Sequence, residues 1–540
     1  MFEVGKDIIK NISASAKSES SVRLRIMHWL FIIAFAAFAV RTIHLGMQTS
    51  GATRRGSGQG YWVSQRADIV DRTGAILATN VVSGHIVLRP PHVRDREQAA
   101  RFINSVIPEI SVARALDDID SGRRFIFLRR MASDEQRAEV KRARIPGVSV
   151  EETEQRRYPK RSLFSHVVGF VGTDMRGLEG MERTENRYLS ENRDPLVLSV
   201  DARIQSVFHR ELAAAKQRFS AIGAMGILMN ARTGEIIAMV SLPDFDPENR
   251  ALYNPSLMKN LPLRGVYEMG SSFKVFNTVM AAEHGIPLTR EYNVSRPYRI
   301  LNRHGRVSAT ISDISSFRPP RPSISVAEIL RHSSNVGSVQ IALDMPVSAQ
   351  AEFFRKTFMD RALDLEFGRT ERPLMPAQWG PVERATISFG HGIAVTPMHL
   401  ILAFNAMVNG GVYIWPTMQR RGIGPVDGAR VISSELSAEI REILFMTAEE
   451  GSGRRARVAG INIGGKTSTA EKRVDGAIDR TRNMTSFIVA FPIESPQYTM
   501  LVMLDEPRGI PETFGWRTAA WNAVPTAGAI MDAIMPMLFN

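Results

Sequence analysis

The sequence predicts an α+β fold from the placement of its apolar runs. The run 222–229 is followed by Ala231-Arg232-Thr233-Gly234 and a second run from Glu235 to Val240, the pattern of a β-hairpin. Further strand-like runs, Thr485–Phe491 and Thr499–Leu504, lie near the far end of the chain. Helical patterns stand between them, notably Ser271–His284, Val326–Leu343 and Pro397–Val408. Strands at both ends enclosing a block of helices imply one large α+β domain.

Composition sets outer bounds. The chain has 540 residues, 44% hydrophobic and 23% charged, which excludes a disordered chain and a multi-span membrane protein. A net charge of +13 points to an anionic neighbour such as nucleic acid, phospholipid or an acidic polymer. Cysteine is absent, so disulfides, thiolate metal sites and cysteine nucleophiles are excluded.

From the N-terminus, Ile26–Val40 is apolar except for His28. As a helix it covers roughly 23 Å, short of the ~30 Å hydrocarbon core. Extension to Leu45 brings in Arg41 and His44, which can snorkel to the interface. A membrane anchor, a signal peptide cleaved near Ala37-Phe38-Ala39, and a buried soluble helix are the three readings. Basic residues flank the segment almost evenly, so charge does not set its orientation. Residues 47–60 read as a Gly/Ser/Thr linker. From 61 to 195, short alternating stretches such as Gly84–Leu88 are interspersed with polar helical segments such as Ala132–Arg144, without a catalytic cluster.

Three short motifs carry chemistry. Ser271-Ser272-Phe273-Lys274 is an S-x-x-K, and positions i and i+3 share a helix face, so Ser271 and Lys274 meet. Serine needs a base to become a nucleophile, and lysine serves only if burial or a nearby cation lowers its pKa. Phe273, Phe276 and Met280 place this helix in the core, and Gly285 closes it. The same spacing at Ser256/Lys259 is followed by Pro262, which argues against a long helix there. Ser333-Ser334-Asn335 is an S-x-N whose bland reading is a polar cap or turn; a second match, Ser190/Asn192, lies upstream of the candidate nucleophile. Lys466-Thr467-Ser468-Thr469 lies in Ile461–Ala470, which reads as a strand; a lysine and a threonine hydroxyl together can hold a carboxylate. Gly460–Thr467 also fits the P-loop pattern, but no buried strand precedes it and a charged loop, not an apolar helix, follows. No H-E-x-x-H is present.

In that order the three motifs form the signature of penicillin-binding proteins and serine β-lactamases. The chain resembles a class B penicillin-binding protein, a monofunctional peptidoglycan D,D-transpeptidase. Arg66–Ala78, Arg157-Tyr158-Pro159 and Gly177–Glu182 resemble the family's non-catalytic module. Ser388–Pro397 and Asn409-Gly410-Gly411 resemble its catalytic domain, and Tyr267-Glu268 resembles the division-specific branch. Met269, Leu261 and Ser468 stand where the family usually has proline, arginine and glycine.

The resemblance implies an antiparallel sheet with a helical block, an elongated N-terminal pedestal of the dimerisation type and a single transmembrane helix. The expected boundaries are a cytoplasmic tail at 1–22, the anchor at 23–46, the linker at 47–60, the pedestal at 61–195 and the transpeptidase domain at 196–540. It implies that Lys274 takes the Ser271 proton and that Ser333 and Asn335 relay protons and orient substrate. Lys466 and Thr467 would hold the terminal carboxylate, and the N–H groups of Ser271 and Thr469 would form the oxyanion hole. Ser468 should face the same way as Lys466 and either fit a slightly wider gap or hydrogen-bond across it; its small neighbours favour the simple fit.

Expected partners are peptidoglycan stem peptides, β-lactam antibiotics, a polytopic lipid II glycosyltransferase and other division proteins, with no nucleic acid and no metal or organic cofactor. The expected location is the bacterial inner membrane, single-pass, with a periplasmic catalytic domain. An elongation-specific enzyme, a catalytically weak penicillin-binding scaffold or sensor, and an NTPase are the competing readings.

Overall fold

A computed structural model of the chain describes residues 29–39, 41, 66–249, 253–301, 304–314, 317, 319–422, 426–474 and 477–539. Residues 1–63 and 64–540 are separate compact units. In the first, residues 29–39 are helical and exposed. No helix among the described residues is long and apolar enough to cross a membrane. The expected tail 1–22, the linker 47–60 and much of the expected anchor 23–46 lie outside the described residues.

The second unit opens with a five-stranded sheet built from β1 (Ile69–Val70), β2 (Ile76–Leu88), β3 (Ile126–Arg129), β4 (Val148–Arg157) and β5 (Leu196–Val197). β2 pairs antiparallel with β4 from Thr79↔Arg157 to Leu88↔Val148. Three helices, Arg96–Val106, Val112–Asp120 and Asp134–Ala143, share a small core with this sheet. Each starts on a side-chain cap from Asp95, Ser111 or Ser133, which satisfies an N–H the helix cannot. At the base of this region Glu182 accepts from two arginines, Arg66 Nε at 2.7 Å and Arg156 Nε at 2.7 Å, all three buried. The two resembling segments that begin at Arg66 and end at Glu182 are therefore clasped by one ion cluster.

The larger sheet has the order β8 (Gly464–Val474), β9 (Ala477–Phe491), β10 (Tyr498–Asp505), β6 (Gly223–Asn230), β7 (Ile236–Leu242), antiparallel throughout. Asn230 shapes the β6–β7 turn by accepting from the N–H groups of Arg232 and Thr233, and Gly234 adopts φ +74° there, a conformation open to glycine. Strand side chains alternate between faces. Leu228, Phe487 and Val502 join α1 (Ala202–Arg218) and α6 (Ala523–Phe539), whereas Ile227, Ile488 and Leu501 join α2 (Phe273–Glu283) and α5 (Pro397–Val408). Cover on both faces is why these strands read as unbroken apolar runs.

The pattern Val326–Leu343 predicts one helix, and the structure corrects it to two, α3 (Val326–His332) and α4 (Asn335–Asp344). Ser333 sits in the left-handed region at φ 61°, ψ 40°, and the Ser334 side chain caps α4 by accepting from Gly337 N at 3.0 Å. Apolar spacing runs through such a break because both halves face the same core.

Glu182→Gln should leave two buried guanidiniums without their carboxylate. Loss of one partner from a buried ion pair costs about 3–5 kcal/mol. Thermal denaturation of the variant should show a markedly lower midpoint; a loss below about 1 kcal/mol would show that the cluster behaves like a surface pair.

Candidate active site

The site forms where α2, the α3–α4 break and β8 meet. Ser271 lies in a single 3-10 turn, Gly270–Ser272, immediately before α2. It is partly exposed, while Lys274 in the first turn of α2 is buried. A backbone crossing holds the turn: Gly270 N–H donates to Gly390 O at 3.2 Å. Gly390 has φ +78°, and a Cβ there would stand 2.2 Å from Gly270 O; only glycine permits that approach.

Lys274 Nζ lies within hydrogen-bond distance of Ser271 Oγ (3.0 Å), Ser333 O (2.7 Å), Ser333 Oγ (3.0 Å) and Asn335 Oδ1 (2.7 Å). The Ser333 carbonyl and the Asn335 amide oxygen can only accept. A neutral amine has two N–H bonds, which these two acceptors use, so its lone pair is left for a hydroxyl proton. The environment favours that form. Burial, and next the neighbouring charge of Lys466, push the Lys274 pKa well below its ordinary value, with Asp313 pulling it back up. Burial also lowers Lys466, to about 7. Lys466 Nζ donates to Ser333 Oγ at 2.9 Å, so the Ser333 hydroxyl bridges the two lysines.

β8 supplies the opposite wall. Lys466 and Ser468 are buried, whereas Thr467 and Thr469 are partly exposed, as strand alternation requires. Ser468 Oγ donates to Met269 O at 2.7 Å. Of the two options for Ser468, the hydrogen bond across the gap is the one adopted, and it ties β8 to the turn before Ser271. Thr469 Oγ1 accepts from Ala519 N at 3.0 Å. Lys466 and Thr467 lie inside a strand, so the P-loop pattern lacks its helix. At Ser256/Lys259, Ser256 is exposed and donates to Asn254 Oδ1 at 2.8 Å.

Sequence reasoning missed Asp313 and Ser452 and gave Glu268 no role in the site. Asp313 accepts from Ser334 Oγ at 2.8 Å, Val336 N at 3.2 Å and Asn335 N. Its carboxylate thus caps the N-terminus of α4, where the helix dipole favours negative charge. Ser452 and Thr467 have their hydroxyl oxygens 2.6 Å apart, so one donates to the other. Glu268 Oε1 accepts from Gly392 N at 3.0 Å, and burial lowers the neighbouring His391. Asp313 caps from a distant stretch of sequence, so the local capping pattern is absent; Ser452 was visible only as part of Gly451-Ser452-Gly453. Among the described residues no group of three or more His, Cys, Asp or Glu could hold a metal ion.

Comparison with known proteins gives concordant matches. Residues 224–532 match the penicillin-binding protein transpeptidase domain, and residues 62–194 match the penicillin-binding protein dimerisation domain. The chain is 32% identical to the probable peptidoglycan D,D-transpeptidase FtsI of Caulobacter vibrioides, over 97% of this chain and 90% of that protein. It is 30% identical to stage V sporulation protein D of Bacillus subtilis, over 88% and 78%. It is 27% identical to the peptidoglycan D,D-transpeptidase FtsI of Escherichia coli, over 87% and 83%. The crystal structure of penicillin-binding protein 2X from Streptococcus thermophilus superposes with a TM-score of 0.70 at 18% identity, covering 88% of this chain and 80% of that one; this likeness speaks for the fold.

Asp313→Ala should remove the carboxylate that caps α4. Loss of such a cap costs about 1–2 kcal/mol. Hydrogen exchange should speed up at the Asn335 and Val336 amides; unchanged protection there would mean that Ser334 alone holds the helix start.

Proposed function

The chain belongs to the class B penicillin-binding proteins, and on that premise we propose that it is a peptidoglycan D,D-transpeptidase acting through an acyl-enzyme on Ser271. The observation that carries this reading is the set of partners around Lys274 Nζ, two obligate acceptors and two hydroxyls.

Neutral Lys274 takes the Ser271 proton as Ser271 Oγ attacks the carbonyl of the penultimate D-Ala. The oxyanion that forms accepts from the backbone N–H groups of Ser271 and Thr469. Ser333, lying between the lysines, passes the proton to the departing nitrogen of the terminal D-Ala. An amine from a neighbouring stem then attacks the ester, and the same groups return the proton to Ser271 by the reverse route. Asn335 holds Lys274 and orients the substrate. Lys466 and Thr467 hold the terminal carboxylate, with Ser452 fixing the Thr467 hydroxyl. An arriving carboxylate raises the Lys466 pKa and restores its charge when it is needed. A β-lactam acylates the same serine.

We assign residues 61–195 to the pedestal and 196–540 to the catalytic domain, with 23–46 as a single anchor that leaves the catalytic domain in the periplasm; the exposed apolar helix at 29–39 supports the anchor. A septal role is supported by two relatives that carry the name FtsI and by Tyr267-Glu268 before Gly270.

A fluorescent penicillin should label the purified protein and the Ser256→Ala variant but not Ser271→Ala; labelling that survives Ser271→Ala would overturn the assignment. The pH profile of acylation tests the base. Loss of the Lys466 charge removes a cation that depresses Lys274, so the Lys274 pKa rises. Lys466→Met should therefore move the acid limb of the acylation profile to higher pH; a limb that stays put or moves down would exclude Lys274 as the titrating base.

A further inference from the structure

Two large aromatic side chains beside the site face solvent, Phe514 at 79% exposure and Trp516 at 54%. Neither results from a loose loop. Phe514 N donates to Pro511 O at 2.9 Å, Gly515 N to Ile510 O at 3.0 Å and Trp516 N to Thr513 O at 2.8 Å. Thr513 Oγ1 lies 2.9 Å from Trp516 O, and a Cβ on Gly509 would stand 2.1 Å from Gly515 O. Phe514 itself is held in the left-handed region at φ 52°, ψ 31°, an unfavourable conformation for a bulky residue. Its ring meets Trp521 edge-on at 5.7 Å, and the Arg455 guanidinium lies 3.7 Å over the Trp521 ring. A strained backbone that presents an aromatic ring to water in a rigid loop is a feature of binding sites.

The loop is continuous with the catalytic cleft. Ala519 N donates to Thr469 Oγ1, and the chain between Trp516 and Ala519 spans at most about 11 Å. We propose that Phe514 and Trp516 form a saccharide subsite, which packs against the sugar that carries the donor stem peptide; this rests on the transpeptidase reading above. A stem of a few residues reaches roughly 10–15 Å when extended, the same scale as the longest span the chain allows between Trp516 and Ala519. A pyranose presents an apolar C–H face that covers an aromatic ring, and the exposed carboxylate of Glu512 in the same loop offers an acceptor for its hydroxyls. Two rings among polar residues make too small a surface for a stable protein partner, which needs about 800 Å².

The test compares D-Ala release by the full-length protein from two donors, a disaccharide-pentapeptide and the same pentapeptide without sugar. The wild type should show a kcat/KM about tenfold higher for the disaccharide donor. Phe514→Ala/Trp516→Ala should lose that preference while turnover of the free peptide and acylation by penicillin stay within about twofold. Phe514→Tyr/Trp516→Phe should keep it. The subsite is overturned if the wild type shows no preference, if the double alanine variant retains it, or if that variant loses peptide and penicillin reactions equally. A wild type that penicillin does not acylate would remove the transpeptidase reading, and this inference with it.

Discussion

Two lysine side chains buried against one serine hydroxyl are the constraint on which the rest of the structure depends. Ammonium groups are costly to take out of water and repel one another at short range. The chain meets this cost by burying Lys274 beside Lys466 so that its proton goes, and by giving acceptors to the two N–H bonds that remain. Low proton affinity is thus a result of packing, and packing is what the remainder of the domain supplies. The antiparallel sheet provides one rigid wall through β8, and the buried α2 fixes the other through its apolar face.

The narrowest tolerances lie at the joints between these walls. Ser333 must place both its carbonyl and its hydroxyl on the lysines, and a helical backbone would not do so; hence the left-handed residue between α3 and α4. Asp313 pins the start of α4, and Ser468 pins β8 to the turn before Ser271. The loop bearing Phe514 and Trp516 is fastened to the same strand at Thr469. Each joint is a hydrogen bond between segments distant in sequence, so the geometry of the site reports the assembly of the whole domain.

Much of this was legible in the residues themselves. The S-x-x-K spacing implied the Ser271–Lys274 contact, and the runs 222–229, Thr485–Phe491 and Thr499–Leu504 implied strands that the structure contains. Their order in the sheet did not follow from periodicity, because pairing of β10 with β6 depends on contacts far apart in the chain. The break at Ser333 escaped because its two halves share one apolar face, and Asp313 escaped because no local spacing links it to the helix it caps. Arg66 and Glu182 stood in segments that resembled family signatures, but the reason for their presence emerged only when the chain closed on itself.

That closure has a mechanical side. Arg66 is the first described residue of the second unit, and β1 follows at once, paired parallel with β5 through Ile69↔Leu196 and Val70↔Val197. The segment between them therefore enters and leaves through one short ladder, with the ion cluster beside it. A pull on the chain ahead of Arg66 would load that ladder and the cluster directly. Beyond the ladder the same segment is bonded onward, Arg72 N to Val200 O and Ala202 N to Asp71 Oδ2, so the ladder and the clasp together form the hinge through which load passes to the start of α1.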